Sequence, residues 1–450
     1  MTARHVVIVG GGFGGLDAAR ALADAPVRVT LLDRHNYHLF QPLLYQVATA
    51  SLSPGDIASP IRWILRRQRN VRVLLGEACA IDPDRRLLFL SPPPLVGSAQ
   101  PPPTGEAPAA PDGCASTSEA IAYDYLVVAT GAAHAYFGHP EWAERAPGLK
   151  TLDDALEIRR RVLLAFEAAE RTTDPQLQRR LLTFVIVGGG PTGVELAGAL
   201  AEIARESLRR DFRSIQPESA RVVLVEGGPH LLASFPDPLR ARARASLERI
   251  GVEVVTGAIV TEIDATGVGW SSKAHPDRPP VRIAAETVLW AAGVAASPLA
   301  RSLGVPLDRA GRIQARPTLQ VPGRDEVFVV GDLCAFEQDG RPLPGVAQVA
   351  KQEGAHAARN VAALIQGRAP TPFRYRDYGN MATVGRGSAV ADIGPFHASG
   401  LVAWLIWLFI HIFWLIGFRN RVAVLSEWAW AYVTFQRRIR LITGDRPGVD

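Results

Sequence analysis

Two stretches of this 450-residue chain are near copies: HVVIVGGGFGGLDAARAL from His5 and TFVIVGGGPTGVELAGAL from Thr183. Each opens with β-branched residues long enough for a buried strand, passes through a glycine turn and continues in small residues at helical spacing. Each carries GxGxxG, as Gly10, Gly12 and Gly15 and again as Gly188, Gly190 and Gly193. The first glycine of such a turn permits a tight bend, the second lets backbone N–H groups approach a pyrophosphate, and the third lets helix and strand pack closely. The helix that follows turns its positive end to the phosphates.

One glycine turn is weak evidence; two, each with a strand ending in an acid further on, constrain the chain much more. VRVTLLD ends at Asp33, where an acid hydrogen-bonds a ribose. ARVVLVE ends at Glu226, later than the simple motif expects, because a longer helix and the connection RRDFRSIQPES intervene. Glu226 is either a ribose ligand or the cap of a strand. As a ribose ligand it favours NADH over NADPH, since Gly227 and Gly228 follow and no arginine is there to take a 2′-phosphate.

A second matched pair, YDYLVVATGA (Tyr123–Ala132) and ETVLWAAGV (Glu286–Val294), gives each copy a further apolar strand ending in a small-residue turn. EVFVVGDLCAF sets Gly331 and Asp332 at the C-terminal end of another strand, where ligands of open α/β sheets collect and where Asp332 can bond the ribityl chain of a flavin. The expected fold is α/β, with two Rossmann-like dinucleotide-binding domains, for FAD and NADH, plus a C-terminal helical membrane-binding segment. The expected boundaries are 1–155 and 300–369 for a discontinuous FAD domain, 156–299 for the NADH domain and 370–450 for the C-terminal segment. Residues 91–120, rich in Pro, Ala, Ser and Gly, form a disordered excursion with no assigned chemistry.

Composition removes several classes. The 49 basic and 44 acidic side chains are spread widely and form no basic stripe interleaved with aromatics, so nucleic acid is not an expected partner. Cys79, Cys114 and Cys334 lie far apart with no metal-ligand or CxxC spacing, which predicts neither a disulfide framework nor a structural zinc site. No cysteine precedes Gly76, where flavoprotein disulfide reductases keep their redox pair, so the electron acceptor is a diffusible molecule or a protein. The N-terminus enters an apolar strand too soon for a cleavable signal, and the body is expected in a reducing cytoplasm.

The C-terminal run LVAWLIWLFIHIFWLIGF, Leu401 to Phe418, is apolar at 16 of 18 positions and is borderline for a spanning helix, which needs about 20. From Val424 a second helix is expected, with Val424, Leu425, Trp428, Tyr432, Phe435, Ile439 and Ile442 on one face and Arg437, Arg438 and Arg440 opposite. That pattern suits the headgroup region of a bilayer, and five of the nine tryptophans fall in these two segments. A dimer surface would use the same residues.

HNYHLFQPLLYQVATA (His35–Ala50), GGGPTGVELAGALAE (Gly188–Glu202), AQVAKQEG (Ala347–Gly354) and GFRNR with its trailing tryptophans, in this order, resemble the type II NADH dehydrogenases. These are single-chain, membrane-attached NADH:quinone oxidoreductases within the two-dinucleotide flavoprotein reductases. The resemblance covers nearly the whole chain apart from the 91–120 excursion. It implies that FAD rests on Gly10, Gly12, Phe13, Gly14 and Gly15, with Asp33, Arg34, Gln41 and Pro42 beside it. Ala78, Thr130, Gly131, Asp332 and Ala347 complete that cradle. NADH, by the same resemblance, rests on Gly188, Gly190, Pro191, Thr192 and Gly193, with Glu195, Glu226, Ala292 and Gly293 around it.

The resemblance also implies a quinone met by Gln348, Lys351 and Gln352. A glutamine amide can donate to a quinone carbonyl, and the four-residue spacing puts both glutamines on one helical face. A bare QxxxQ is more often two solvated side chains. Glu195 occupies the first turn of the second Rossmann helix and Asp17 the equivalent place in the first. Both suit the helix dipole. For Asp17 that is the whole expectation, whereas the resemblance places Glu195 between nicotinamide and flavin, in positioning or proton transfer. His38 is either a flavin-pocket residue or a packed histidine.

The implied reaction passes hydride from NADH to FAD and then two electrons to a membrane quinone, without proton pumping. The implied setting is a homodimer held monotopically on the cytoplasmic face of the inner membrane. An NADH-dependent reductase of a small electron-transfer protein and a membrane-attached redox-sensing flavoprotein are the competing readings.

Overall fold

A computed structural model of the chain describes residues 3–91, Cys114, 119–434 and 439–443. Most of the 91–120 excursion lies outside the described residues. In chain order the elements that position the site are β1 (Arg4–Val9), α1 (Phe13–Ala21), β2 (Val27–Asp33), α2 (Leu44–Ala48), β3 (Val71–Leu75) and β4 (Tyr125–Val128). They continue with β5 (Thr183–Val187), α3 (Pro191–Glu202), β6 (Arg221–Glu226), β7 (Val252–Thr256), β8 (Thr287–Trp290), β9 (Gln320–Val321), β10 (Arg324–Val329) and α4 (Ala347–Ile365). The last are β11 (Asn380–Gly385), β12 (Ser388–Ile393), β13 (Phe396–Gly400), α5 (Leu401–Trp414) and α6 (Phe418–Thr434).

The chain divides into two compact units. The first comprises Met1–His38, Ser59–Ala133 and Val294–Asp377; the second comprises Leu39–Ala58, His134–Gly293 and Tyr378–Asp450.

In the first unit the sheet runs β9-β10-β4-β1-β2-β3, parallel throughout except for the β9-β10 pair. In the second it runs β7-β6-β5-β8, all parallel. The shared core order, third strand, second, first, fourth, repeats the sequence duplication. Val6 to Val9 and all of β5 are buried, as strands covered on both faces must be, and their β-branched residues suit that environment.

In each unit the glycine turn follows the central strand where the chain order reverses, the place at which open α/β sheets collect ligands. Gly10 and Gly188 have φ of +106° and +111°. A Cβ on Gly10 would lie 2.3 Å from the Ala129 carbonyl oxygen, and one on Gly188 2.6 Å from that of Ala291. The two small-residue turns of the second matched pair are thus what the two glycine turns rest on.

Within the second unit, the antiparallel sheet β11-β12-β13 packs on α3. The contact depends on Gly198 of α3, where a Cβ would come 2.1 Å from the Val384 carbonyl oxygen of β11. From β13 the chain enters α5. Ala403 and Trp407 are buried on one of its faces and His411 follows at the same spacing, while Leu401, Leu405, Phe409 and Phe413 form an exposed row on the other. Arg421 closes the turn to α6 by donating from Nε to the Leu415 carbonyl and from Nη2 to the Phe413 carbonyl, both at 2.8 Å. That satisfies groups the helix end leaves open.

At 14 residues α5 is about 21 Å long, short of the roughly 30 Å hydrocarbon core of a bilayer. Among the described residues no helix is long and apolar enough to cross a membrane. In α6 the apolar residues divide in a way the expected face does not: Val424 turns inward with Trp428 half-buried one turn on, while Val422, Leu425 and Trp430 are exposed. Phe435, Arg437 and Arg438 lie outside the described residues. Arg440 donates to the Ser207 carbonyl at 2.7 Å and pairs with Asp211 in the same unit.

One expectation is overturned. Cys79 and Cys114 form a disulfide, with Cα atoms 5.6 Å apart after a separation of 35 residues. Linear spacing carried no sign of it, because the chain leaves and returns through the excursion; Cys334 is buried and free.

Candidate functional site

In the first unit the glycine turn is held from outside. Asp33, ending β2, accepts the Gly11 N–H on Oδ2 at 2.5 Å and the His35 N–H on Oδ1 at 2.6 Å. A carboxylate oxygen has two acceptor sites, so each retains one for a ribose hydroxyl. The space a Cβ would occupy on Gly12 is open, with nothing within 4 Å. Two polar atoms near this turn are buried without a hydrogen-bond partner, Thr130 Oγ1 and His38 Nε2.

His38 is 2 % exposed and its Nδ1 lies 2.9 Å from the Gly11 carbonyl. A carbonyl only accepts, so Nδ1 carries the hydrogen and Nε2 offers a lone pair. Burial pushes the ring's pKa down to about 4, so it is neutral at pH 7. An open glycine turn, a buried acceptor and a buried hydroxyl awaiting partners are what a hydroxyl-rich dinucleotide such as FAD would satisfy.

Gly331 and Asp332 follow β10 in the same unit. The turn is tied by Glu353, a residue within AQVAKQEG that the sequence pattern does not mark out. Glu353 is 1 % exposed, accepts the Gly331 N–H at 2.6 Å and has its carboxyl pushed up to about 8, chiefly by burial. Also in the first unit are Ala78, which opens the strand Ala78–Asp82, Gly131 and Ala347. Arg34 lies 3.7 Å from Glu77. Gln41 and Pro42, expected beside FAD, belong to the second unit as a short 3-10 turn, Gln41–Leu43.

The expected quinone residues lie along α4 in the first unit. Gln348 Oε1 accepts from the Tyr375 hydroxyl at 3.4 Å. Gln352 engages the backbone of Arg376 with both amide atoms, accepting its N–H at 3.0 Å and donating to its carbonyl at 2.9 Å. Lys351 reaches Asp17 of α1 at 2.9 Å, so Asp17 does more than favour a helix dipole.

The second unit repeats the scheme. Glu226, ending β6, accepts the Gly189 N–H on Oε2 and the Gly228 N–H on Oε1, each at 2.5 Å. Gly190 is as open as Gly12. Pro191 and Thr192 begin α3, Gly193 packs on the Gly188 carbonyl, and Ala292 and Gly293 follow β8. Phe137, with φ of +51° and 69 % exposed, lies over Gly293: a Cβ there would meet its ring at 2.4 Å. The sequence carries no signal for it.

Glu195 differs from its counterpart. Part of its surface is open, yet it is crowded by protein, and desolvation pushes its carboxyl up to about 8 against the opposing effect of a hydrogen bond from the Thr383 backbone. A carboxyl that is neutral at pH 7 and ionises just above it can both give and take a proton. Tyr45, buried on α2, has its hydroxyl 2.9 Å from Thr383 Oγ1 and its pKa raised by burial and then by Glu195.

Residues 4–354 match the pyridine nucleotide-disulphide oxidoreductase family. Over 98 % of its length the chain is 45 % identical to the type II NADH:quinone oxidoreductase Ndh of Mycobacterium tuberculosis, covering 90 % of that protein. This chain belongs to the type II NADH:quinone oxidoreductases. A second member, NdhA of the same organism, is 44 % identical across 97 % of the chain and 88 % of its own length. The fold matches that of NDH2 from Plasmodium falciparum, solved in complex with NADH, with a TM-score of 0.84 at 18 % identity, covering 97 % of this chain and 99 % of that one. Family membership fixes the two-nucleotide α/β architecture with FAD as its cofactor.

Proposed function

We propose that this chain oxidises NADH and reduces a membrane quinone in a non-pumping respiratory step. Similarity to a type II NADH:quinone oxidoreductase over 98 % of the chain carries this reading. Bound FAD supplies the two-electron link between the nucleotide and the quinone.

The protein supplies binding and protons. Gly188–Gly193 and the start of α3 bind the NADH pyrophosphate through backbone N–H groups and the helix dipole. Glu226 uses its remaining acceptor sites on the ribose. Thr130, His38 and Asp33 hold FAD, with His38 accepting a hydroxyl hydrogen on Nε2. Gln348, bonded to Tyr375 through its carbonyl oxygen, is the donor assigned to a quinone carbonyl. Lys351 flanks it, and Gln352, anchored on Arg376, uses its second amide hydrogen in the same way. Quinone reduction consumes two electrons and two protons: NADH oxidation provides both electrons and one proton, and the second comes from the medium. Glu195 is the group poised to carry a proton.

The exposed row on α5, with Val422, Leu425 and Trp430 of α6, is the lipid contact, since an apolar patch this continuous marks a membrane or protein partner. A homodimer would use part of the same surface. Attachment is monotopic, on the cytoplasmic face of the inner membrane. One observation favours an oxidising compartment instead: disulfides such as Cys79–Cys114 are rare in the cytosol. Trapping thiols at cell lysis decides it, with three free cysteines expected for the cytoplasmic placement.

The test of function is NADH oxidation by lipid-supplemented holoenzyme with a short-chain quinone, compared with NADPH and with Gln348→Ala. Quinone-dependent turnover that prefers NADH, and falls about tenfold in the variant, is the expected result. Flavin bleached by NADH but not restored by quinone would overturn the quinone assignment and point to a protein acceptor.

A further inference from the structure

The corner where β6 ends holds a charge that the sequence around it does not carry. Glu226 is followed by Gly227, Gly228 and Pro229, with no arginine or lysine among them. Lys273 nonetheless reaches this corner from a later hairpin of the same unit. The strands Ala258–Asp264 and Gly267–Ser272 pair antiparallel, with Ala258 opposite Ser272. Lys273, the next residue, donates its N–H to the Gly257 carbonyl at 2.8 Å, and the Gly257 N–H donates to the Gly228 carbonyl at 2.8 Å. Backbone bonds therefore tie the root of the lysine to the glycine turn that follows Glu226.

The side chain turns the same way. A Cβ built on Gly227 would have only two atoms within 4 Å, the Ala258 carbonyl oxygen at 3.8 Å and Lys273 Nζ at 3.9 Å. The ammonium thus stands across a small gap from the backbone next to the ribose acid. Lys273 is exposed and joins no ion pair among the described residues, which leaves its N–H donors to water or a ligand. Glu226 accepts the Gly189 N–H on one oxygen and the Gly228 N–H on the other, so it too is fixed against this turn. An exposed lysine is usually a solvated side chain. This one is rooted on the turn and lies over Gly227, where a lysine serving solubility alone would have no reason to be.

In a Rossmann unit the acid ending the second strand bonds the adenosine ribose, and a cation near it is what accommodates a 2′-phosphate. We propose that Lys273 is a specificity-determining residue: its ammonium receives the 2′-phosphate of NADPH at the Gly227–Gly228 corner, so that the chain oxidises NADPH as a second substrate. This rests on reading the second unit as the NADH site. NADH stays the better substrate, because the Glu226 carboxylate bonds a 2′-hydroxyl and repels a phosphate in its place. The reaction is otherwise unchanged. NADPH loses one hydride to the bound flavin and leaves as NADP+, and a quinone takes up the two electrons with two protons, as with NADH. The residues that follow Glu226 give no sign of this cation, because it arrives from a hairpin that only the fold brings to the turn.

The test uses FAD-loaded full-length protein and two nucleotide fragments, adenosine 5′-monophosphate and adenosine 2′,5′-bisphosphate, which differ only in the 2′-phosphate. Their binding is measured by calorimetry at low ionic strength, with NADH added to displace each. Lys273→Met is expected to weaken the bisphosphate about tenfold relative to the monophosphate. Lys273→Arg, which keeps the charge, should stay within about threefold of the parent ratio. In turnover with a short-chain quinone, the ratio of kcat/KM for NADPH to that for NADH should fall by the same factor in Lys273→Met, and should fall in the parent as salt is raised. A ratio unmoved by Lys273→Met overturns the proposal, as does an equal loss of both fragments or a parent that binds the monophosphate alone. Fragments that bind but are not displaced by NADH would overturn it together with the placement of NADH in the second unit. Displaced fragments with an unmoved ratio would overturn it by itself. Fragment binding requires no quinone, so the outcome does not depend on the quinone reading.

Discussion

Asp17 and Glu195 stand at the same position of a repeated motif, seven residues after the first glycine of each turn, and meet opposite environments. Asp17 faces Lys351 at 2.9 Å and has Arg20 one turn on, at 3.8 Å. Glu195 meets no cation among the described residues, lies against a buried tyrosine, and is held near neutrality by desolvation. The local chain is the same in both, strand, glycine turn and helix, so the difference comes entirely from what packs on the helix. On α1 it is α4, which brings a lysine; on α3 it is α2 and β11, which bring a phenol, a hydroxyl and a backbone N–H.

The largest test of this comparison is to break each turn at its first glycine. Gly10→Val and Gly188→Val both force a side chain into positive φ against a carbonyl. Gly10→Val is expected to purify with less than about a tenth of its flavin, judged by the visible absorbance. Gly188→Val should keep its flavin but show a KM for NADH raised roughly a hundredfold. Equal loss of flavin in both would mean the two cradles are not separately assigned.

A smaller effect sharpens the contrast between the two acids. Glu195→Gln should lower quinone-dependent turnover by about a hundredfold and remove the ionisation near pH 8 from the pH profile. Asp17→Asn removes a partly exposed ion pair and should stay within about threefold of the parent in the same assay, with less than about 1 kcal/mol lost in stability. If the two variants lose activity equally, the proton role does not belong to Glu195.

The smallest effect concerns stability. Glu195 in the second unit and Glu353 in the first both have carboxyl pKa values raised from 4.5 to about 8. Between those values the folded chain binds more protons than the unfolded one, so their contribution falls as pH rises from about 4.5 through 8 and is flat above. Glu195→Gln should therefore flatten the decline and raise Tm at pH 9 by roughly 2 °C, measured by calorimetry on the holoenzyme. A decline as steep as the parent's would contradict the desolvated carboxyl.

Much of the site is legible in the sequence. The glycine turns, the terminal acids Asp33 and Glu226, the ATG and AAG turns and the Gly331–Asp332 corner are set by local backbone needs and strand patterning. Each appears in place, with the two acids clamping Gly11 and Gly189 in the same way. Glu353, Tyr45, Gln46 and Thr383 do not stand out there, since each looks like an ordinary residue of its helix or strand until its neighbours are known. The disulfide is hidden for a related reason: its two cysteines meet only after the chain has left a hairpin and returned.

The sequence by itself therefore determined the elements and the glycine turns, because bending, burial and period are properties of a few consecutive residues. Only the tertiary structure decided which acid is paired and which is left neutral, which amide atoms are already engaged, and which tryptophan donates to a buried glutamine. Those properties depend on desolvation and on partners as far apart as Gln46 and Trp428, a separation over which the sequence pattern carries no record of contact.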